Sequence, residues 1–215
     1  MLKITFMRNT IKYIDFAKIF KKFFVFSIID IRKIYPAFQK RRLYEWQKKG
    51  YIIGVSRGYY IFSDSKPDEH LLFYIANRIR LCSYISLETA LFYYQLIPES
   101  VFSVTSVSTK KTIILKSKFS NFIYKTISPK LFFGYDMIRD GNYYFRLAKP
   151  EKALIDYFYL NPNINTQSDF KSLRINSDIF NKKINKRILF EMLRRIGKKS
   201  LDRRMSNFME FMKNA

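Results

Sequence analysis

The chain has 215 residues, and its 40 Lys and Arg against 17 Asp and Glu give a formal net charge of +23. A hydrophobic content of 48%, with 22 Phe and 16 Tyr, argues against a disordered chain because it supplies enough apolar surface for a core. The positive surplus favours a polyanionic partner, which leaves DNA, RNA and anionic membrane as candidates. Part of the surplus also has a simpler source, since AT-rich coding DNA enriches a protein in Lys, Ile, Asn, Phe and Tyr.

The length predicts a small domain and a medium one, and the charge distribution divides the chain further. Residues 1–65 carry 14 basic and 4 acidic side chains, residues 66–160 carry 13 and 8, and residues 161–215 carry 13 and 5. The two ends are therefore the most basic parts, and we expect three parts: a small domain over 1–65, a medium domain over 66–160 and a basic extension over 161–215.

Cysteine usage and hydropathy predict a soluble, cytoplasmic protein. Cys82 is the only cysteine, so the sequence offers no disulfide framework and no thiolate metal site, and a reducing compartment is the simplest one. We expect this residue to be a small buried hydrophobe. The longest apolar run, residues 23–29, is too short to cross a bilayer, so no membrane partner is expected.

In the N-terminal part, apolar residues at three- and four-residue spacing predict a helix over residues 11–23. Ser27 is placed to cap a short second helix, which Pro36 ends. A third helix is expected from about residue 37 to residue 48, with Gly50 after its end. The first helix is basic as well as amphipathic, so binding to a membrane surface stays open as an alternative.

Two β-prone runs follow, residues 51–55 and 59–62, and the turn Ser56-Arg57-Gly58 separates them. Three helices and a hairpin in this order, within about 55 residues, are typical of the winged helix-turn-helix. The domain border is expected near residue 66, because residues 64–68 are polar and contain a proline.

The rest of the chain mixes helices with strands, which predicts a mixed α/β domain followed by C-terminal helices. Expected helices cover residues 70–79, 87–96, 151–160, 186–196 and 201–212, and expected strands cover residues 101–107, 112–115, 119–127 and 143–148. Residues 161–177 are rich in Asn, Ser and Asp and predict a long loop.

In a winged helix, the second helix of the pair enters the major groove and the side chains of its N-terminal half reach base edges. The residues at these positions, which we expect to contact DNA, are Gln39, Lys40, Arg41, Arg42 and Tyr44. Arginine matches two acceptors of guanine, and glutamine makes a similar two-point contact with adenine. The alternative is a basic face that is merely solvated, and Trp46 is expected in the core.

At the tip of the hairpin, Arg57 suits the phosphates or the adjacent minor groove, where positive charge is favoured. Tyr59 is placed to donate a hydrogen bond to a phosphate oxygen. A plain hairpin turn with an exposed charge is the alternative for both residues.

An enzyme is not expected, and neither is a cofactor or a metal. His70 is the only histidine, and one histidine without a cysteine cluster makes no catalytic zinc site. The phosphate-binding and nucleophile motifs GxxxxGK[ST], GxGxxG and GxSxG are missing from the sequence. A nuclease would need carboxylates gathered around a divalent metal, and carboxylates such as Glu151 and Asp156 are scattered along the chain.

The middle of the chain resembles a known family. The run from Tyr84-Ile85-Ser86 to Leu96-Ile97-Pro98 is similar to the pattern YxSxxSALxxxGLIP of AbiEi-type antitoxins, and Pro150-Glu151-Lys152-Ala153-Leu154-Ile155-Asp156 is similar to their PEKALxD motif. With the Lys49-Gly50-Tyr51 and Arg57-Gly58-Tyr59-Tyr60 patterns, the resemblance covers roughly residues 10–160. One position departs from it, because the usual glycine of the first pattern is Gln95 here, which suggests a different helix ending.

The resemblance implies the antitoxin of a type IV toxin-antitoxin, or abortive infection, system. Its N-terminal winged helix would repress its own operon by binding inverted repeats in double-stranded DNA, as a dimer on the DNA, and the following domain would counteract a nucleotidyltransferase toxin. The alternatives are an orphan transcriptional regulator without a toxin, a nucleic-acid-processing enzyme and a membrane-surface protein.

Overall fold

The computed structural model of the protein describes residues 11–56, 58–98 and 102–214. It has a mixed α+β fold, which confirms the coarse part of the predicted fold class, while the winged helix-turn-helix at the N-terminus stays a prediction. The chain forms two compact units: the described residues up to Pro67 together with Ser117–Phe119 make the first, and the other described residues make the second. The predicted border near residue 66 lies beside Pro67, and the division of the chain into three parts stays a prediction.

The first unit consists of three helices and a small antiparallel sheet. Its elements in chain order are α1 (Tyr13–Phe20), β1 (Phe26–Ser27), α2 (Ile28–Ile34), α3 (Arg41–Lys48), β2 (Ile52–Ser56) and β3 (Tyr59–Phe62). The strand order is β1-β3-β2, so the predicted hairpin β2–β3 gains a third strand. This third strand was not predicted, because two residues are too few to show an alternating pattern.

The predicted cap of α2 is confirmed. The Ser27 hydroxyl accepts a hydrogen bond from the Asp30 amide at 3.3 Å, and the Asp30 carboxylate accepts one from the Ser27 amide at 2.9 Å. This reciprocal capping box satisfies two backbone donors that the first helical turn leaves without partners. It fixes the point where α2 leaves the sheet.

Two helices of the first unit are shorter than predicted. Helix α1 covers Tyr13–Phe20 instead of residues 11–23, and α3 begins at Arg41 instead of residue 37. Phe38 is the reason for the late start of α3, since its side chain is buried and its amide donates to the Tyr35 carbonyl at 3.0 Å. The chain must turn there to place this ring in the core.

Aromatic side chains form the core of the first unit. Phe16 of α1 lies at its centre, with ring centroids 4.6 Å from both Phe20 and Trp46 and 5.3 Å from Phe26. Trp46 is buried, as predicted. Large rings meeting at these distances add edge and stacking attraction to the burial of apolar area, which holds the helices on the sheet.

The second unit is a six-stranded mixed sheet with helices. Its elements are α4 (Glu69–Ile79), β4 (Ser83–Ile85), α5 (Leu87–Tyr93), β5 (Ser103–Ser108), β6 (Ile113–Leu115), β7 (Asn121–Thr126), β8 (Tyr135–Asp140), β9 (Tyr143–Ala148), α6 (Pro150–Leu160), α7 (Gln167–Ser172), α8 (Ser177–Lys183), α9 (Lys186–Ile196) and α10 (Lys199–Phe211), with a short 3₁₀ turn at Pro129–Leu131. The strand order is β6-β7-β5-β4-β9-β8.

The two faces of this sheet pack against different helices. Tyr124 of β7 is buried on one face, where its hydroxyl donates to the Ala76 carbonyl of α4 at 2.8 Å. Tyr124 pairs with Ser106 of β5, and successive strand residues point to opposite faces, so the neighbouring Thr105 lies on the other face of the sheet. There its hydroxyl oxygen is 3.0 Å from that of Thr89 of α5. Helix α6 packs against α5 on this second face, and α9 and α10 pack against α6.

Two predictions for the second unit are wrong, and two of its strands, β4 and β8, were not predicted. Residues 161–177 are not a continuous loop, because a capping box of Thr166 with Asp169 begins helix α7 within them. Strand β8 was missed, although Gly141-Asn142, which separates it from β9, is a common two-residue hairpin turn signal. Cys82 is exposed, because it lies in the turn between α4 and β4 instead of in a strand or helix.

Helix α5 ends at Tyr93, before the predicted residue 96, and Gln95 takes a left-handed conformation with a φ of 62°. This is the position at which the family pattern has glycine, the residue that adopts a positive φ without strain, whereas a side chain at this φ is strained. No helix in the described part of the chain is both long enough and apolar enough to cross a bilayer.

We expect Gln95→Gly to stabilise the protein, because glycine adopts a positive φ without the clash that a Cβ introduces. The free energy of unfolding should rise by about 0.5–1 kcal/mol, measured by urea denaturation. Gln47→Gly, the same substitution at an exposed position within the right-handed helix α3, is the control and should destabilise the protein by a similar amount. A loss of stability in Gln95→Gly would contradict this account of the helix ending.

Candidate nucleic-acid interface

The orientation of α3 determines which of its side chains face outward. Leu43 and Trp46 are buried in the aromatic core, so the opposite face of the helix is turned to solvent. The predicted DNA-contacting residues Gln39, Lys40, Arg41 and Tyr44 are all exposed, and Arg42 is half-buried. The buried pair thus holds a basic and aromatic face outward.

Arg41 and Arg42 point in different directions. The Arg41 guanidinium is exposed and lies 3.1 Å from the Glu45 carboxylate, one helical turn further on. The Arg42 guanidinium lies over the Trp46 ring, 5.2 Å from its centroid. Of these two arginines, therefore, only Arg41 is exposed on the outer face, while Arg42 covers the edge of the core.

Gln39 and Lys40 precede the helix instead of lying within it, which corrects the predicted placement on its N-terminal half. Their carbonyls accept from the amides of Arg42 and Leu43, at 3.1 and 3.0 Å, so both belong to the turn that leads into α3. Further along the helix, the Lys48 ammonium lies 4.9 Å from the centroid of the exposed Tyr44 ring.

The hairpin places Tyr59 at the start of β3, where it pairs with Ser56 of β2 and Ser27 of β1. Its side chain is half-buried. Arg57, the other predicted contact at the tip, lies outside the described residues. The prediction for the hairpin therefore stays open at Arg57.

A buried polar network lies in the second unit, and sequence reasoning missed it. Lys152 and Asp156, one turn apart on α6, form an ion pair that is fully buried. The Asp156 carboxylate also accepts hydrogen bonds from the Tyr84 hydroxyl at 2.9 Å and the Ser86 hydroxyl at 2.8 Å. The Lys152 ammonium lies 5.5 and 5.3 Å from the ring centroids of Tyr84 and Phe133.

Burial dominates the protonation behaviour of this network. Loss of water raises the pKa of the Asp156 carboxyl, although Lys152, Ser86 and Tyr84 act in the opposite direction. Burial and the neighbouring Asp156 raise the pKa of the Tyr84 hydroxyl well above its usual range. Tyr84 therefore stays protonated and serves as a hydrogen-bond donor. Its partners lie 72 residues away in the sequence, which is why spacing alone did not reveal the contact.

Glu151, beside the ion pair in sequence, has a structural contact of its own. Its side chain is buried, and its Oε1 accepts a hydrogen bond from the Asn185 amide at 2.7 Å. Asn185 in turn caps α9. The carboxylate therefore fixes the start of α9 against α6.

The only histidine of the sequence contacts a carboxylate in the second unit. His70 Nδ1 lies 2.8 Å from the Asp140 carboxylate of β8, and this hydrogen bond is the main reason that the pKa of the Asp140 carboxyl is lowered. Among the residues that the structure describes, no group of three or more His, Cys, Asp and Glu is placed to hold a metal ion.

The chain matches no family model and no curated protein. The resemblance to AbiEi-type antitoxins therefore depends on the motifs quoted above. Their residues do meet in space: Tyr84 and Ser86 of the first motif both donate to Asp156 of the second.

We expect Asp156→Ala to destabilise the protein by about 3–5 kcal/mol, because it leaves the Lys152 cation buried without a counter-charge. The double variant Lys152→Met with Asp156→Leu, which removes both charges, should recover most of that loss. Chemical denaturation of the three proteins measures the difference. If the double variant is as unstable as Asp156→Ala, the uncompensated charge of Lys152 is not the cause of the loss.

Proposed function

We propose that the protein is a sequence-specific DNA-binding regulator that represses its own operon through a winged helix-turn-helix in the first unit. The observation that carries this proposal is the outward face of α3 and of the turn before it. Gln39 and Lys40 of the turn and Arg41 and Tyr44 of the helix are exposed, while Leu43 and Trp46 hold the helix on the core. In a winged helix this face enters the major groove.

The element order and the charge support the same proposal. Two helices separated by a turn, followed by a hairpin whose sheet includes a strand before α2, match the winged arrangement. Residues 1–65 carry ten more basic than acidic side chains, which favours an anionic partner such as the DNA backbone. Two protomers would bind an inverted-repeat operator.

Arg41 offers a sharp test because the chain contains a matched control. Arg41 and Arg187 are 84% and 87% exposed, and each pairs with a glutamate four residues later, Glu45 and Glu191. Arg41→Ala should weaken binding to the DNA upstream of the protein's own gene by about tenfold or more, as loss of a two-point base contact does. Arg187→Ala removes the same charge from a different unit and should change binding far less.

Fluorescence anisotropy with the upstream DNA and with a scrambled duplex, at several salt concentrations, measures both effects. Equal weakening by the two variants, on both DNA molecules, would mean that binding is general attraction between a basic protein and a polyanion. Binding that survives Arg41→Ala with its sequence preference intact would remove α3 as the reading helix.

We further propose that the second unit makes the protein the antitoxin of a type IV system, as its resemblance to AbiEi-type antitoxins implies. The meeting of Tyr84 and Ser86 with Asp156 supports the resemblance, because the residues shared with the two family motifs are the ones that join β4 to α6. An orphan regulator would lack this activity.

Co-expression with the product of an adjacent nucleotidyltransferase gene tests the antitoxin role. Rescue of cell growth by the wild type, and also by Arg41→Ala, is the expected result because the second unit would act separately from DNA binding. Absence of such a gene, or failure of the wild type to rescue growth, would leave the DNA-binding role alone.

A further inference from the structure

The second face of the six-stranded sheet is uncovered near strand β6, and a groove of about 830 Å³ lies there. Ile114 and Ile123, which are cross-strand neighbours on β6 and β7, line its sheet wall together with Lys125. Leu91 of α5 and Leu154 of α6 line the opposite wall. The volume is that of a ligand-binding cleft, and most of its lining is apolar.

Exposed apolar side chains surround this groove. Phe102, immediately before β5, is 91% exposed, and Ile114 is 60% exposed. Ile113, next to it on β6, pairs with Tyr124 and therefore lies on the other face of the sheet, away from the groove. Contiguous apolar side chains of this size at a groove are a common sign of a protein-binding surface.

Strand β6 lies at the edge of the sheet. It pairs with β7 on one side, and in the described part of the chain no strand pairs with its other side. An edge strand presents backbone donors and acceptors to which an extended peptide can add as a further strand. The groove lies beside this edge, so side chains of an added strand can enter it.

The charged residues next to β6 in the sequence are all lysines, whereas the groove also has two carboxylates in its lining, Glu88 of α5 and Asp169 of α7. Residues 100–135 contain six lysines and no aspartate or glutamate. Lys110 and Lys111 precede β6 and Lys116 follows it, and all three are exposed. The Thr126 hydroxyl donates to the Lys110 carbonyl at 2.9 Å, which fixes the chain at this point. A strand with carboxylates on the side that faces the lysines is therefore the complementary partner.

We propose that the β6 edge and its groove bind an extended segment of a partner protein in which apolar residues alternate with carboxylates. The apolar side chains would enter the groove beside Ile114, and the carboxylates would face Lys110, Lys111 and Lys116. A second copy of this chain fits poorly, because two lysine-flanked edges would face each other and repel. This binding site is additional to α3 and does not depend on the DNA-binding proposal.

A fluorescent synthetic peptide of about ten residues that alternates valine and glutamate is the probe, matched to the usual length of a strand. A peptide of the same composition with all valines before all glutamates is the control. With the full chain at physiological ionic strength, the alternating peptide should bind more tightly than the block peptide. Hydrogen exchange should show protection of the amides of residues 112–115 when it is bound.

The chain provides a matched pair of edge variants. Ile114 of β6 and Met137 of β8, at the opposite edge of the sheet, are 60% and 58% exposed. Ile114→Glu should weaken peptide binding about tenfold or more, because it places a carboxylate in the apolar groove. Met137→Glu adds the same charge at the other edge and should leave binding unchanged. Equal unfolding midpoints of the two variants show that the difference is not a folding defect.

Lys110→Glu combined with Lys111→Glu should also weaken binding, while Lys130→Glu, outside the edge, should not. Equal binding of the two peptides, equal loss in Ile114→Glu and Met137→Glu, or no protection of β6 would each overturn the proposal. Displacement of the peptide by a short DNA duplex in Arg41→Ala would overturn it as well, since the lysines would then belong to a nucleic-acid surface.

Discussion

The burial of Trp46 against Phe16 and Phe38 is the constraint on which the proposed DNA-binding surface depends. The rings of Phe16 and Phe38 lie 4.6 and 5.7 Å from that of Trp46. Because Trp46 and Leu43 are both buried in this core, the rotation of α3 about its own axis is fixed. Arg41 and Tyr44 face outward because they lie on the side of α3 away from these buried residues. The Arg42 guanidinium packs over the indole ring of Trp46.

The second unit depends on a different kind of interaction. Its centre is an ion pair, Lys152 with Asp156, buried between α6 and β4 and completed by two hydroxyl donors. Such a pair contributes little net stability relative to apolar residues, but breaking it leaves a charge without a partner. It therefore fixes which part of α6 meets the sheet. Leu154 of the same helix lines the groove beside β6.

The sequence predicted those features that depend on local pattern. Alternation revealed β5, β7 and β9, the Ser27 cap marked α2, and the order of elements up to Phe62 was predicted except for β1. Features that depend on distant residues were not predicted. Tertiary packing determines three of these features, and residue spacing does not encode it. They are the hydrogen bond between Tyr84 and Asp156, the turn that buries Phe38, and the rotation of α3 that separates Arg41 from Arg42.

Some missed elements did carry local signals. The Thr166 capping box begins α7, and the Asn176 cap begins α8. The polar residues at these positions predict a loop equally well, because helix caps and loops share the same composition. The same ambiguity affected Gly141-Asn142, which joins β8 to β9.

The central claim, that the outer face of α3 contacts DNA bases, can be tested most directly by photo-cross-linking. A photoreactive phenylalanine analogue would replace either Tyr44 on α3 or Tyr144 on β9, which are 59% and 48% exposed. The account predicts that the substituted Tyr44 position cross-links to the DNA upstream of the gene and that only DNA of the same sequence competes. Cross-linking from position 144 and not from position 44 would contradict it.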